Sequence, residues 1–332
     1  MARSFNRSTI TRREAIRLGL VGMCCFSSLG LAACAPEDKL SQQQQNGATA
    51  SNDAPTPVAI DAAAFDALIE QGPVADAARI AKSTWATKVA QAGKLRIGGV
   101  KTSILFSILD EKDGKVRGFD AGLSQMLTRY ILGDTQKQEL TLVTSNTRES
   151  VLQNDQVDVV FATYSITDAR KKVISFAGPY YTTQQGILVT ADNTSINGLA
   201  DLANKKVAAQ SGSTGPSILE KLAPEATVQE FATDEEARGA LSQGRVDAYV
   251  IDETMQRGSI VRNPGKYKLV GESFGPVDSY GIGVPHDSDA AQFINEFLKM
   301  VIDSGVWEKL WNIAIGARTQ ATKAPQPPAL GV

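Results

Sequence analysis

The densest polar cluster in the chain is Thr163-Tyr164-Ser165-Ile166-Thr167-Asp168-Ala169-Arg170, set directly behind the apolar run Val157 to Ala162. It gathers hydroxyls and a guanidinium at one strand tip. Arginine's planar fork meets a carboxylate through two parallel hydrogen bonds, and in a water-poor cleft such charge-assisted bonds are the strong ones. A second polar loop, Gln210-Ser211-Gly212-Ser213-Thr214-Gly215, leads from an apolar run into a helix expected to begin near Pro216. Free amides at a helix start favour an anion. Asp252 closes a third apolar run with no cation beside it in sequence, and is suited to receive an ammonium. Together these groups describe a site for a zwitterion.

Other chemistry finds little support. There is no S-x-x-K, no G-x-x-x-x-G-K-[ST] and no G-x-G-x-x-G. Gly271-Glu272-Ser273-Phe274-Gly275 fits G-x-S-x-G, but Pro276 and a strand-like run follow where a nucleophile elbow needs a helix. The one histidine, His286, sits after Pro285 in a polar loop, and the three cysteines all precede residue 35. A Cys/His metal site, a Cys/His nucleophile pair and an internal disulfide are therefore not expected in the folded body. A net charge of −2 gives no electrostatic footprint for nucleic acid.

The elements that must hold the zwitterion site read as α/β, with strands and helices alternating from about residue 94. Asp120 can cap a helix whose Leu123, Met126, Leu127, Tyr130 and Ile131 share one face at helical period. Apolar runs at 157 to 162, 186 to 190, 206 to 209, 246 to 251 and 280 to 284 read as strands, and 288 to 316 as terminal helices. A weak internal repeat aligns Leu152-Gln-Asn-Asp155-Gln-Val157-Asp158 through Thr163 with Leu241-Ser-Gln-Gly244-Arg-Val246-Asp247 through Asp252, at a constant offset of 89 residues. Each copy ends a helix, turns into a strand and leaves a polar residue at the strand's carboxyl edge, where open α/β sheets bind ligands.

Residues 1–33 read as a signal peptide: five arginines precede an apolar stretch from Leu18 to Ala33 that ends in Leu31-Ala32-Ala33-Cys34. Sixteen apolar residues cover about 24 Å, short of the roughly 30 Å hydrocarbon core. The tetrapeptide resembles a bacterial lipobox, which implies lipidation at Cys34, and Arg12-Arg13 leaves twin-arginine export open. Residues 34–60 are expected to be a lipidated, disordered tether, 61–88 an N-terminal helical segment without an assigned role, and 317–332 a disordered tail.

In the body the chain resembles the family 3 extracellular solute-binding proteins, the amino-acid receptors of ABC importers. The resemblance covers roughly residues 80 to 316. It rests on Gly93-Lys-Leu-Arg-Ile-Gly98, Gly118-Phe119-Asp120, Ser165-Ile166-Thr167 followed by Arg170, Phe176-Ala-Gly-Pro-Tyr-Tyr181, Ser211-Gly-Ser-Thr214 and Val246-Asp247-Ala248 leading to Asp252. It implies a two-lobed type II periplasmic-binding-protein-like fold with a double-crossover hinge. Lobe 1 is expected at 89–188 plus 281–316 and lobe 2 at 189–280, with crossings near 189 to 191 and 280.

By the same resemblance Arg170 holds the ligand α-carboxylate with help from Thr214 and Ser165, and Asp252 holds the α-ammonium with Thr163 close by. Ser213 and Thr214 can equally cap the helix they precede. Lys101 and Arg148 occupy places where glutamate/aspartate receptors of the family carry cations, which implies an acidic amino acid, glutamate ahead of aspartate. The expected protein is a monomeric, lipid-anchored, extracytoplasmic receptor without cofactor or metal, partnered by an ABC permease. The usual proline before Phe106 is missing, since Ile104-Leu105 stands there. Two alternatives share the scaffold: an amino-acid sensor for a membrane signalling partner, and an enzyme such as a dehydratase, for which Glu253 is the positional candidate acid.

Overall fold

The computed structural model describes residues 56–319, 321 and 323–331. The signal segment, Cys34 and most of the tether lie outside the described residues. The expected apolar runs become strands because they are rich in Val, Ile and Leu and are bounded by turns. In chain order the strands are β1 Leu95–Gly99, β2 Thr102–Ser103, β3 Ser107–Leu109, β4 Val116–Arg117, β5 Gln138–Leu142, β6 Val159–Phe161, β7 Ser175–Thr190, β8 Lys206–Gln210, β9 Thr227–Phe231, β10 Ala248–Asp252 and β11 Tyr267–Val284.

Strands β2 to β4 form a small antiparallel sheet, and the rest form one sheet in the order β5-β1-β6-β11-β7-β10-β8-β9. Parallel pairs flank each side: β1 with β5 and β6, and β8 with β9 and β10. Between them run the long antiparallel β7 and β11, with Thr190 opposite Tyr267 at one end and Ser175 opposite Val284 at the other. Each long strand serves both lobes. The lobe 1 end of β11 reaches β6 at Gly283, while Gln185 to Leu188 of β7 pair with β10. The first crossing therefore falls near 182–185, several residues before the expected 189 to 191. The error has a simple cause: the polar Thr182-Thr183-Gln184-Gln185 is strand by pairing, not by hydropathy.

Each side of the sheet packs its own core. Helices Phe119–Leu132, Ala290–Asp303 and Val306–Trp311 pack Leu123, Met126, Phe293, Phe297 and Trp307 into the lobe 1 core. Burying one such large side chain contributes roughly 2 to 3 kcal/mol. Ile187, Val207, Leu219 and Val250 pack on one face of the lobe 2 sheet, and Leu188, Leu241, Tyr249 and Ile251 on the other. The helical face predicted for 119–132 is the buried one.

Asp120 does not cap that helix. Gly118 stands at the cap with φ 138°, where a Cβ would approach the Phe106 carbonyl carbon to 2.4 Å, so glycine is required. The Asp120 carboxylate reaches instead across to β6, accepting from the Thr163 amide at 2.8 Å and the Tyr180 hydroxyl at 2.8 Å.

The internal repeat is structural. Asp155 and Gly244 both turn through the left-handed region, at φ 51° and 68°. Asp158 and Asp247 each accept from the amide that opens the neighbouring parallel strand, Arg96 and Lys206, both at 2.8 Å. One unit is thus used twice, once per lobe.

The N-terminal segment acquires a role. Asp61 and Ser83 cap helices Ala62–Ile69 and Thr84–Ala92, and Phe65, Leu68, Ile69, Trp85 and Val89 are buried in the lobe 1 core. Asp66 grips the buried Arg117 with two bonds of 2.8 Å. The tail also departs from expectation: Arg318 donates to the Val58 carbonyl at 3.1 Å, Gly331 donates to the Gly178 carbonyl at 2.9 Å, and Leu330 packs on the lobe 1 core. Among the described residues no helix is long and apolar enough to cross a membrane.

Candidate functional site

Strand β6 delivers the polar cluster to the sheet's midline. Thr163 follows it with φ 44°, a conformation that a β-branched residue rarely adopts and that the Asp120 bond to its amide holds in place. The chain then binds β11: Ile166 donates to the Ser279 carbonyl at 2.8 Å and Gly281 donates to the Tyr164 carbonyl at 2.9 Å. This places Ser165 beside Tyr280. Thr167 caps the short helix Asp168–Lys171, so Arg170 turns back over the cluster.

Arg170 is buried, donates to the Ser165 carbonyl at 2.7 Å, and faces Glu149 at 3.3 Å. Its remaining terminal nitrogen crosses the cleft to the Gly212 carbonyl of lobe 2, at 2.8 Å. Arg148, first residue of helix Arg148–Gln153, is buried too; it donates to the Ala162 carbonyl at 3.0 Å and to the same Gly212 carbonyl at 3.4 Å. Both guanidiniums lie over the Tyr164 ring, 4.3 and 5.0 Å from its centroid. Burial, and then Arg170, push Arg148 down to about 10, which leaves it protonated at neutral pH. Its Nε has no partner among the described residues.

On the other side, Asp252 is buried at the end of β10. It accepts from Gln185 Nε2 at 2.6 Å and from the Tyr280 hydroxyl at 2.5 Å. Gln185 also reaches Thr214, whose hydroxyl donates to Asp278 at 3.1 Å, so a polar chain links the two carboxyls. Burial, and then the neighbouring Asp278, push Asp252 up; burial pushes Asp278 up as well. Two cations and two reluctant anions thus face one another across a closed cleft, a charge pattern that a zwitterion complements.

The structure brings Arg170, Asp252, Ser165, Thr163, Thr214 and Arg148 into this cluster and its rim. Ser213 caps its own loop, donating to the Gln210 carbonyl at 2.7 Å and accepting from Gly215 at 3.2 Å. Lys101 is not brought in. Val100, Thr102 and Ser103 line the inter-lobe cavity of about 90 Å³ together with Arg148, Thr163 and, from lobe 2, Asp234. Lys101, in the bend between β1 and β2, lines a different cavity. Sequence reasoning missed Glu149, Gln185, Asp278 and Tyr280.

The rival acid is occupied: Glu253 pairs with Arg257 at 2.5 Å and accepts from Ser273 at 2.6 Å. Ser273 lies within β11, with no helix after it, and His286 is exposed beside Asp287.

Gly212 lets the lobe 2 loop approach. At φ +73° a Cβ would sit 2.2 Å from Asn146 Oδ1 and 3.0 Å from the Asn146 amide. Gly212→Ala is expected to hold the cleft open and weaken ligand binding roughly tenfold or more, with little change in melting temperature because the loop is exposed. Calorimetric titration beside a thermal melt checks this; an unchanged affinity would remove the loop from the closing contact.

Two lobes on one twisted sheet, joined by paired long strands with a charged cleft between them, define a type II periplasmic-binding-protein fold. The chain belongs to the bacterial extracellular solute-binding proteins, family 3, whose sequence profile matches residues 95–316. It is 35% identical over 216 residues to the ABC transporter glutamine-binding protein GlnH of Bacillus subtilis, covering 64% of this chain and 78% of that one. It is 30% identical over 230 residues to the glutamate-binding protein GluB of Corynebacterium efficiens, covering 66% and 78%. Among solved structures, an ancestral arginine-binding protein bound to glutamine matches with a TM-score of 0.61 and 35% identity, over 68% of this chain and 98% of that one.

Proposed function

We propose that this protein is the extracytoplasmic receptor of an ABC importer, capturing glutamine or glutamate between its lobes and presenting the closed form to the permease. Acylated Cys34 anchors it to the membrane after removal of residues 1–33, a reading carried by the sequence alone. The observation that supports capture is the double hold on Gly212: both arginines of lobe 1 spend donors on one neutral carbonyl of lobe 2. An α-carboxylate at that point replaces a neutral acceptor with a charged one, which shortens and strengthens each bond. The α-ammonium goes to Asp252, relieving the mutual repulsion with Asp278. Ligand bound to one lobe completes the contacts of the other, so occupancy favours closure.

The side-chain end differs from the sequence expectation. With Lys101 elsewhere, Arg148 is the one cation among the residues lining the inter-lobe cavity, and Asp234 lines it from the other lobe. Asp234 is paired with Arg238 at 2.7 Å and accepts from Tyr249 at 3.0 Å. A terminal amide offers its oxygen to Arg148 and its NH2 to Asp234, whereas a carboxylate satisfies only the first. This places glutamine ahead of glutamate. A thermal-shift screen of the full chain against the twenty amino acids tests it, since ligand at about 1,000 times its dissociation constant stabilises by about 4 kcal/mol. Glutamine should give the largest shift and Arg148→Met should flatten the preference; a larger shift with glutamate reverses the order, and no shift with either removes the reading.

A further inference from the structure

Two features remain unused by the cleft: Lys101, and the N-terminal helix Ala62–Ile69 that precedes the family's matched region. They meet. Both line a cavity of about 440 Å³ inside lobe 1, between helix Phe119–Leu132, the β1-β5 edge of the sheet and the small sheet β2 to β4. Its volume is in the range of small-molecule sites.

The groups around it divide into satisfied and unsatisfied. Asp66 is held by Arg117 and Lys115, and Glu70 faces Arg129 at 3.5 Å while accepting from Thr135 at 3.0 Å. Asp120 spends its oxygens on Thr163 and Tyr180, and Ser107 and Ser124 donate to backbone carbonyls. Two groups are left. Among the described residues no ion pair or side-chain hydrogen bond involves the Lys101 ammonium, which lines the cavity, and Gln138 Oε1, on β5, is buried without a partner. The first is a charged donor that calls for an anion, and the second an acceptor that calls for a hydroxyl.

We infer that this lobe 1 cavity is a second ligand site, separate from the cleft, which takes a small hydroxylated organic acid with its carboxylate on Lys101 and a hydroxyl on Gln138. Sulfate, an anion without a hydroxyl, satisfies Lys101 alone, and a polyol Gln138 alone. The site has two short routes to the cleft. Lys101 alternates with Val100 and Thr102, which line the inter-lobe cavity, and Asp120, on the wall of the second cavity, fixes the backbone of Thr163 on the wall of the first. An occupant is therefore expected to shift the affinity of the cleft, in either direction.

The test uses the full chain saturated with glutamine, titrated calorimetrically with malate, citrate and gluconate, with succinate and sulfate as controls. Expected is one-to-one binding of a hydroxylated acid, which persists in Arg170→Ala and is weakened roughly tenfold or more by Lys101→Gln and by Gln138→Leu. No heat with any hydroxyacid up to about 10 mM overturns the inference, as does binding that Lys101→Gln leaves intact. Loss in Arg170→Ala assigns the binding to the cleft, and equal binding of sulfate or succinate overturns the hydroxyacid class. The site does not depend on the proposed function: if glutamine fails to bind, the same titrations without it still decide.

Discussion

Arg170→Ala is expected to abolish amino-acid binding while the protein stays folded. The guanidinium is anchored on its own lobe by Ser165 and Glu149 and extends one nitrogen to the opposing lobe. A carboxylate arriving there meets a donor whose orientation is already fixed, so little entropy is lost in forming the bond. Truncating one side of a buried, hydrogen-bonded charge pair costs about 2 to 5 kcal/mol, or roughly thirtyfold to several thousandfold in affinity. Arg170→Lys should recover only part of it, because an ammonium cannot hold Ser165, Glu149 and the ligand in one planar fork. Calorimetric titration and a thermal melt of the same samples separate the effects. An affinity within a few fold of the parent would show the carboxylate is held elsewhere.

The second large effect is at Asp252, and it carries a pH signature. Burial and the neighbouring Asp278 raise the Asp252 carboxyl to about 7, above its unfolded value near 4. The folded state then holds a proton that the unfolded chain has lost, so stability falls as pH rises from about 4 to about 7 and levels off above. Asp252→Asn removes that penalty. The variant is expected to be more stable than the parent at pH 8, by on the order of 2 kcal/mol, and similar to it at pH 5. An asparagine fits the local bonding, since Gln185 Oε1 has no partner and can turn to accept from it.

Binding behaves oppositely. An α-ammonium stabilises the ionised carboxylate, so parent affinity should rise from pH 5 to about 7, with a proton released on binding below that. Asp252→Asn should lose roughly a hundredfold in affinity and all of the proton release. Titrations at pH 6 in two buffers of different ionisation enthalpy read the proton directly. A flat affinity from pH 5 to 8 would take Asp252 out of the ligand's first contacts.

What could be seen in the sequence was what is local. The repeat could be found because its turn, Asp155 or Gly244, and its strand-opening carboxylate, Asp158 or Asp247, lie within a few residues of one another. The buried face of helix Phe119–Leu132 was visible for the same reason, as period alone sets it. Lys101 was misplaced because it stands in the bend between β1 and β2, where no local period fixes the direction of a side chain. Asp278 and Tyr280 could not be read because their meaning depends on β7 lying alongside β11, which no local pattern states. The segment 61–79 looked unattached because its partners, Arg117 and the terminal helices, are far along the chain.

The single sheet has a mechanical consequence. From the central pair β7 and β11, three more strands extend on each side, to β5 and to β9. At about 4.8 Å per strand each arm is roughly 14 Å long, so a 10° turn of one arm about the centre moves its outer strand by about 2.5 Å. Gln185, Asp278 and Tyr280 sit on the fulcrum strands themselves, where the pairing register also slips, between Val270 and Phe274 and again between Phe274 and Asp278. Side chains that support the proposed ligand contacts thus stand at the pivot, and a small displacement there is enlarged at the rims of the lobes.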